Sequence, residues 1–194
     1  MHEKLNIRFA NIDDMKKVFD LSNEDTVRAN SIHTEKIEWE NHVSWFKKRI
    51  TNINEPFYVV EDTNGNFIGQ LRFDKHDEEF VVSVSISSEF RGKGLASEIL
   101  TEAIKKSGLK KISAYIFDFN DISKKLFEKV GFKKDKLDKY VFEPTTEIFG
   151  GGVNPLYESF SNFLLMVKNI LKMFIFKHLN FISLLFCRRG ISYV

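Results

Sequence analysis

One cysteine, Cys187, in 194 residues leaves no partner for an intrachain disulfide and no ligand set for a multi-cysteine zinc site, as suits a reducing compartment. A surplus of one charge is missing as well. Lys and Arg number 29 against 27 Asp and Glu, for a formal charge of +2, so the chain has no broad electrostatic footprint for nucleic acid, and no local basic patch stands out. Met1 to Arg8 is polar and runs into Asn11-Ile12-Asp13-Asp14, unlike a secretory signal, and the expected location is the cytoplasm. An unbroken apolar span is lacking too. Phe163 to Phe186 has the length of a membrane helix, but Lys168, Asn169, Lys172, Lys177, His178 and Asn180 interrupt it without gathering on one face. Finally, Gly92 and Gly94 have neither the spacing of a P-loop nor that of a Gly-x-Gly-x-x-Gly turn, because Ala96 and Ser97 stand where further glycine is required.

What is present divides into one domain and an appendage. Residues 1–145 are enough for a core that needs no disulfide or metal. Thr145 to Pro155 carries Gly150-Gly151-Gly152, which makes 146–159 a linker, and 160–194 is an apolar tail. The tail reads as a helical appendage: a membrane-associating segment, a contact for a partner or second copy, or sequence without a designed role. Inside the domain, Leu5 to Ala10 alternates as a strand, and Asn11 or Asp13 can cap a helix over Met15 to Leu21. A second helix is predicted at about Ile37 to Ile50. Pro56 to Asp62 and Phe67 to Phe73 read as strands joined by Asn64-Gly65, with a third long strand from Glu79 to Ser88. A helical pattern from Ser97 to Ile104, a strand from Lys110 to Phe117, a helix ending at Gly131 and a final strand containing Tyr140 complete the order.

The chemistry begins at Arg91-Gly92-Lys93-Gly94-Leu95-Ala96, between the β-branched run Val81 to Ile86 and that helical pattern. Two glycines allow a tight turn close to a ligand. The unpaired N–H groups of the following helix face outward as anion donors, and Arg91 and Lys93 add positive charge. Downstream, Asn120-Asp121-Ile122-Ser123 opens a helix with an apolar face of Ile122, Leu126, Phe127 and Val130, stopped by Gly131-Phe132. Both motifs, in this order, resemble those of the GCN5-related N-acetyltransferases (GNAT). The resemblance implies an α/β (α+β) fold: a mixed, mostly antiparallel central sheet flanked by helices, splayed near the glycine loop to admit the cofactor. It implies acetyl-CoA as co-substrate, held by Ile86, Ser88, Arg91, Gly92, Lys93, Gly94, Leu95, Ala96, Asn120 and Ser123, with no metal. Asn120 is also a plain helix cap.

The stretch from Leu21 to Ser31 and from Ile37 to Phe46 gathers asparagine, arginine, histidine and both tryptophans. Its pattern, with Phe57-Tyr58-Val59 and Ile68 to Asp74, is similar to the nucleotide-sugar N-acetyltransferases of the pseudaminic acid pathway. That likeness implies transfer to the 4-amino group of a UDP-linked or other nucleotide-linked dideoxy sugar. Arg28 would pair with a phosphate, and Asn23 or His42 would bond hydroxyls, although Trp39, Trp45, Phe46 and His42 also suit a helix core. For proton transfer the candidates are Glu79, with His76 beside it, as base, and Tyr140 or Tyr115 as acid. Phe127 stands where many relatives have tyrosine and has no proton to give. The oxyanion would meet a backbone N–H near Ile86. Acetylation of a protein N-terminus, including a ribosomal protein, and acyl-CoA binding without turnover are the other functions open to such a chain.

Overall fold

Strand β2 (Phe57–Glu61) shows how the two sides of the sheet are built. Successive side chains of a strand point to opposite faces. Tyr58 and Val60 accordingly join one buried cluster, whereas Phe57 and Val59 join another. The first cluster contains Ile99, Leu100, Ala103 and Ile104 of helix α4 (Leu95–Ser107) and Phe127 of helix α5 (Asp121–Val130). The second contains Val18 of helix α1 (Met15–Ser22) and Phe46 of helix α3 (Trp39–Ile50). Each Val, Leu, Ile or Phe among them contributes roughly 1.5–3 kcal/mol on leaving water. The computed structural model describes residues 5–143. The linker, the tail and Cys187 lie outside them. No helix among the described residues is long and apolar enough to cross a membrane.

The seven-stranded sheet has the order β1-β2-β3-β4-β5-β7-β6. Besides β2 it comprises β1 (Asn6–Phe9), β3 (Phe67–His76), β4 (Glu79–Ile86), β5 (Ile112–Tyr115), β6 (Lys133–Lys134) and β7 (Lys139–Phe142). Only the β4–β5 pair is parallel. The mixed, mostly antiparallel sheet with helices on both faces is therefore present as expected. Two elements escape the sequence pattern, the two-residue β6 and a five-residue helix α2 (Asp25–Ala29) between α1 and α3. Neither is long enough to show a period, and no residue of α2 is buried.

Two departures from regular pairing shape the centre. Strands β4 and β5 are paired only at Phe80↔Ile112 and Val81↔Ser113, so five residues of β4, Val82 to Ile86, run on without a β5 partner. The sheet opens there. On the other side of β4, Gly69 stands opposite Ile86, and a Cβ at Gly69 would lie 2.3 Å from the Ser85 carbonyl oxygen. Glycine is required at that position by the close approach of β3 to β4. Farther out, Arg8 forks between Asp14 at 2.7 Å and Glu61 at 2.6 Å, tying β1 to the chain entering α1 and to β2. The Asp14 and Glu61 hydrogen bonds raise its already high pKa.

Candidate active site

The segment after β4 is a single turn of 3₁₀ helix, Ser88–Phe90, followed by the glycine loop and α4. Gly92 and Gly94 have φ of +74° and +77°, in the left-handed region, and nothing lies within 4 Å of where their Cβ atoms would be. Gly94 is the N-cap of α4 and supplies no side-chain bond to the first turn. The amides of Leu95, Ala96 and Ser97 thus begin a thirteen-residue helix without a side-chain acceptor. Lys93 is exposed, with its Nζ 4.8 Å from the centre of the Phe90 ring. An open cradle of amides with an exposed cation beside it suits a pyrophosphate.

The opening in the sheet adjoins that cradle. The Phe80 N–H donates across to Lys111 at 3.0 Å, whereas the Ser87 N–H donates to Ile68 of β3 at 2.8 Å. Because backbone groups alternate along a strand, the N–H groups of Val84 and Ile86 are directed like that of Phe80, and beyond the last paired residues of β5 they face the gap. The Ile86 carbonyl on that edge accepts a 2.7 Å bond from Arg91 Nε. Across the gap, Asn120 caps α5 by accepting from the Ser123 N–H at 3.0 Å. The gap is thus edged by free strand amides on one side and a capped helix on the other, which is the form needed for an extended acyl-thioester arm.

Face alternation also marks a second surface. On β4, Val82, Val84 and Ile86 lie with the α4–α5 cluster, while Ser83 and Ser85 point to the α1–α3 side. Their β3 partners are Arg72 and Gln70. Gln70 is 5% exposed and donates to Ser22 at 3.0 Å, but its Oε1 is buried without a partner. Arg72 lies 5.6 Å from the Trp45 ring centre and donates to Asp74 at 2.9 Å. Arg28 is close enough to Arg72 that, after burial, this like charge is the next cause lowering its pKa. Arg72 and Gln70 were not singled out from sequence. The alternation Val82-Ser83-Val84-Ser85 contained the signal, since serine on one face of a central strand denotes a polar floor rather than a packed core.

The remaining sequence candidates are placed as follows. Arg28 donates to the carbonyls of Ser22 (2.7 Å) and His33 (3.0 Å) and to Ser31 Oγ (2.9 Å), organising the loop after α2. Asn23 clips Ile37 through two bonds to its backbone, at 3.0 and 2.7 Å. His42 is 2% exposed, donates from Nε2 to the Met15 carbonyl at 3.0 Å and packs among Phe19, Trp39, Trp45 and Phe46. Burial lowers its pKa. With its edge sealed by aromatic rings, this imidazole is a packing group rather than a hydroxyl ligand. Glu79 pairs with Lys139 at 2.5 Å, a hydrogen bond that holds its carboxyl below the usual range. It is therefore not the solvated hairpin end that its acidic neighbours imply. His76 and Tyr115 are exposed, whereas Tyr140 is 1% exposed in the first core cluster. Phe127 is buried edge-to-face on Phe132 at 4.9 Å. Among the described residues no group of three His, Cys, Asp or Glu side chains is placed to hold a metal.

Residues 4–133 match the family model described as an acetyltransferase (GNAT) domain. YwnH of Bacillus subtilis (strain 168), whose name assigns it provisionally to the phosphinothricin acetyltransferases, is 32% identical over 138 residues, covering 66% of this chain and 83% of YwnH. The prophage-derived N-acetyltransferase YokL of the same organism is 26% identical over 149 residues, 72% of this chain and 82% of its own. Among solved structures, a provisionally assigned phosphinothricin N-acetyltransferase is 29% identical with a TM-score of 0.58, covering 71% of this chain and 94% of its own. Spermidine N-acetyltransferase of Vibrio cholerae, in complex with CoA and spermine, has a TM-score of 0.63 at 22% identity, covering 71% of this chain and 91% of its own. The chain thus belongs to the GNAT family of acetyl-CoA-dependent N-acetyltransferases.

Proposed function

We propose that the acceptor is the primary amine of a small anionic molecule, with a nucleotide-linked amino sugar as the member of that class to test first. The observation that carries this reading is Arg72 on the polar floor of Gln70, Ser83 and Ser85, with the Trp45 ring 5.6 Å away and Arg28 bonded to Ser22, the residue that Gln70 also holds. Two guanidinium groups kept close in spite of repulsion favour a phosphate or carboxylate between them. The unpartnered Gln70 Oε1 favours an N–H or O–H donor of the same ligand. A tryptophan face suits a sugar or base ring. A polycation has no comparable attraction here, since Arg72 already engages Asp74.

In this reading the acceptor nitrogen, as the neutral amine, attacks the thioester carbon at the opening beside β4. The C–N bond forms, the C–S bond breaks and the thiolate leaves. The Ile86 and Val84 amides, facing the gap, stabilise the charge developing on the carbonyl oxygen. Glu79 begins β4 at the end away from Ile86 and is bonded to Lys139, so the amine proton passes to solvent rather than to this carboxylate. Tyr140 is enclosed in the core, so water supplies the proton for the thiolate. Arg91 is assigned a different task below.

The test is thiol release from acetyl-CoA by the full chain with UDP- and TDP-linked 4-amino sugars, L-phosphinothricin, spermidine and N-terminal peptides. Turnover is expected with an anionic amine, and Arg72→Ala should raise its KM about tenfold, the equivalent of ~1.4 kcal/mol. Turnover with spermidine alone would overturn the proposal. Turnover with peptides alone would favour a protein N-terminal acetyltransferase.

A further inference from the structure

The geometry points to Arg91 and Asn120 as positioning residues that latch helix α2 across the mouth of the β4–β5 opening, so that the cofactor loop sets the acceptor side. This inference rests on the acetyl-transfer reading of that opening. By sequence both residues belong to cofactor motifs, yet their side-chain ends engage α2 and the residue at each of its ends. Arg91 Nη1 donates to Thr26 Oγ1 at 2.6 Å and Nη2 to Glu24 Oε2 at 2.5 Å, while Nε holds the Ile86 carbonyl at 2.7 Å. Asn120 Nδ2 donates to Asn30 Oδ1 at 2.7 Å, with its Oδ1 committed to the α5 cap at 3.0 Å. Asn30 in turn donates to the Thr26 carbonyl at 2.8 Å, which closes the chain of bonds along α2.

Arg91 follows β4 and Asn120 follows β5, so the two ties stand on opposite sides of the gap. The helix between them has five residues, none of them buried. A helix of that length without an apolar anchor has no stability of its own, and its position depends on polar ties. Besides the bonds of Arg28 to Ser22, His33 and Ser31 and the Lys36–Asp25 pair, which stay within the same region, the ties that cross to the sheet leave from the loop whose amides hold the cofactor and from the cap opposite it. A cofactor that orders Gly92 to Gly94 therefore also orders α2, which follows α1 after Asn23 and Glu24 and carries Arg28. The pyrophosphate role falls to the loop amides and Lys93. The Arg91 side chain is directed the other way.

Two variants on opposite ends of the same contact provide the test, Arg91→Ala and the double change Glu24→Gln with Thr26→Ala. Hydrogen exchange of the full chain should accelerate at least tenfold at the amides of residues 25–30 in both. Acetyl-CoA affinity by titration calorimetry should stay within about twofold in both. With the amine that the wild-type chain acetylates best in the panel above, both should raise acceptor KM and lower kcat to a similar degree, and the combined variant should be no worse than either. A similar but smaller effect is expected for Asn120→Asp, which keeps the cap and loses the Nδ2 donor. The inference is overturned if Arg91→Ala weakens acetyl-CoA binding tenfold, leaves binding of S-acetylpantetheine unchanged and has no counterpart in the Glu24/Thr26 variant. Arg91 would then be a pyrophosphate ligand. Because exchange and calorimetry need no acceptor, a wrong acceptor class would stop turnover in the wild-type chain without altering those two results.

Discussion

The proposed cofactor side and the proposed acceptor side of this enzyme are made from different materials. Around Gly92 and Gly94 the working groups are main-chain amides, and what places them is a strand, two positive φ angles and a helix start. Around Arg72 they are side chains drawn from α1, α2, α3, β3 and β4, at positions far apart in the chain. A backbone site tolerates changes of side chain as long as the turn is kept. A side-chain site changes its ligand with one substitution. Such a division allows relatives of one fold to keep acetyl-CoA while their names record phosphinothricin in one case and spermidine in another.

The largest effect should come from breaking the backbone site at its turn. Gly94→Val forces a β-branched residue to φ near +77°, where nothing else crowds it, and puts a side chain into the space that the ligand needs. Strain of about 1–3 kcal/mol adds to this obstruction. The expected loss in kcat/KM for acetyl-CoA is about 100-fold, or ~2.7 kcal/mol. Acceptor KM at saturating acetyl-CoA should change little. An equal loss on both substrates would show that the two sides are not separable in the way described.

Gly69→Ala tests the seam between the sides. Its Cβ would meet the Ser85 carbonyl oxygen, a backbone atom that cannot rotate away. Separation of β3 from β4 should cost about 2 kcal/mol of stability by urea unfolding and shift the strand end that carries Ile86. If unfolding is unchanged, the strands approach less closely than the pairing of Gly69 with Ile86 requires.

The same division explains what was legible in the sequence. Asn120 as a cap, Gly131 as a helix stop and the glycine loop each depend on a few adjacent residues, and local rules suffice for them. Strand β2 was legible from its apolar run, but not the split of its side chains between two cores. Helix α2 was missed because five residues contain little more than one turn and bury nothing. Arg28, Asn23 and His42 were expected to bind the acceptor, and in the fold their ends bond to backbone carbonyls or amides of the same region. A polar residue type indicates that a partner exists and not which one. Arg72 and Gln70 could be found only by aligning β3 with β4, a register that no local pattern reveals.

His42 gives the smallest effect and the sharpest view of how the acceptor side is held. It joins α3 to α1 through the Met15 carbonyl, and burial, opposed by that bond and by Asp20, leaves its folded pKa below the ordinary 6.5. A base with a depressed folded pKa is neutral in the native state while the unfolded chain takes up the proton. Its stabilising effect is therefore complete above pH 6.5 and is lost as pH falls toward the folded value. Urea unfolding of the wild-type chain between pH 8 and pH 5 should show stability falling once the pH passes below 6.5. His42→Phe keeps an aromatic ring among Phe19, Trp39, Trp45 and Phe46 but has no proton to gain. It should be less stable at pH 8, where the bond to Met15 is missing, and should lack the extra fall on the acid side. Acetyl-CoA affinity should follow neither change, because the amide cradle shares no titrating group with α3. A parallel pH dependence of cofactor binding that vanishes in His42→Phe would mean that the aromatic core, and not only the α2 latch, couples the two sides.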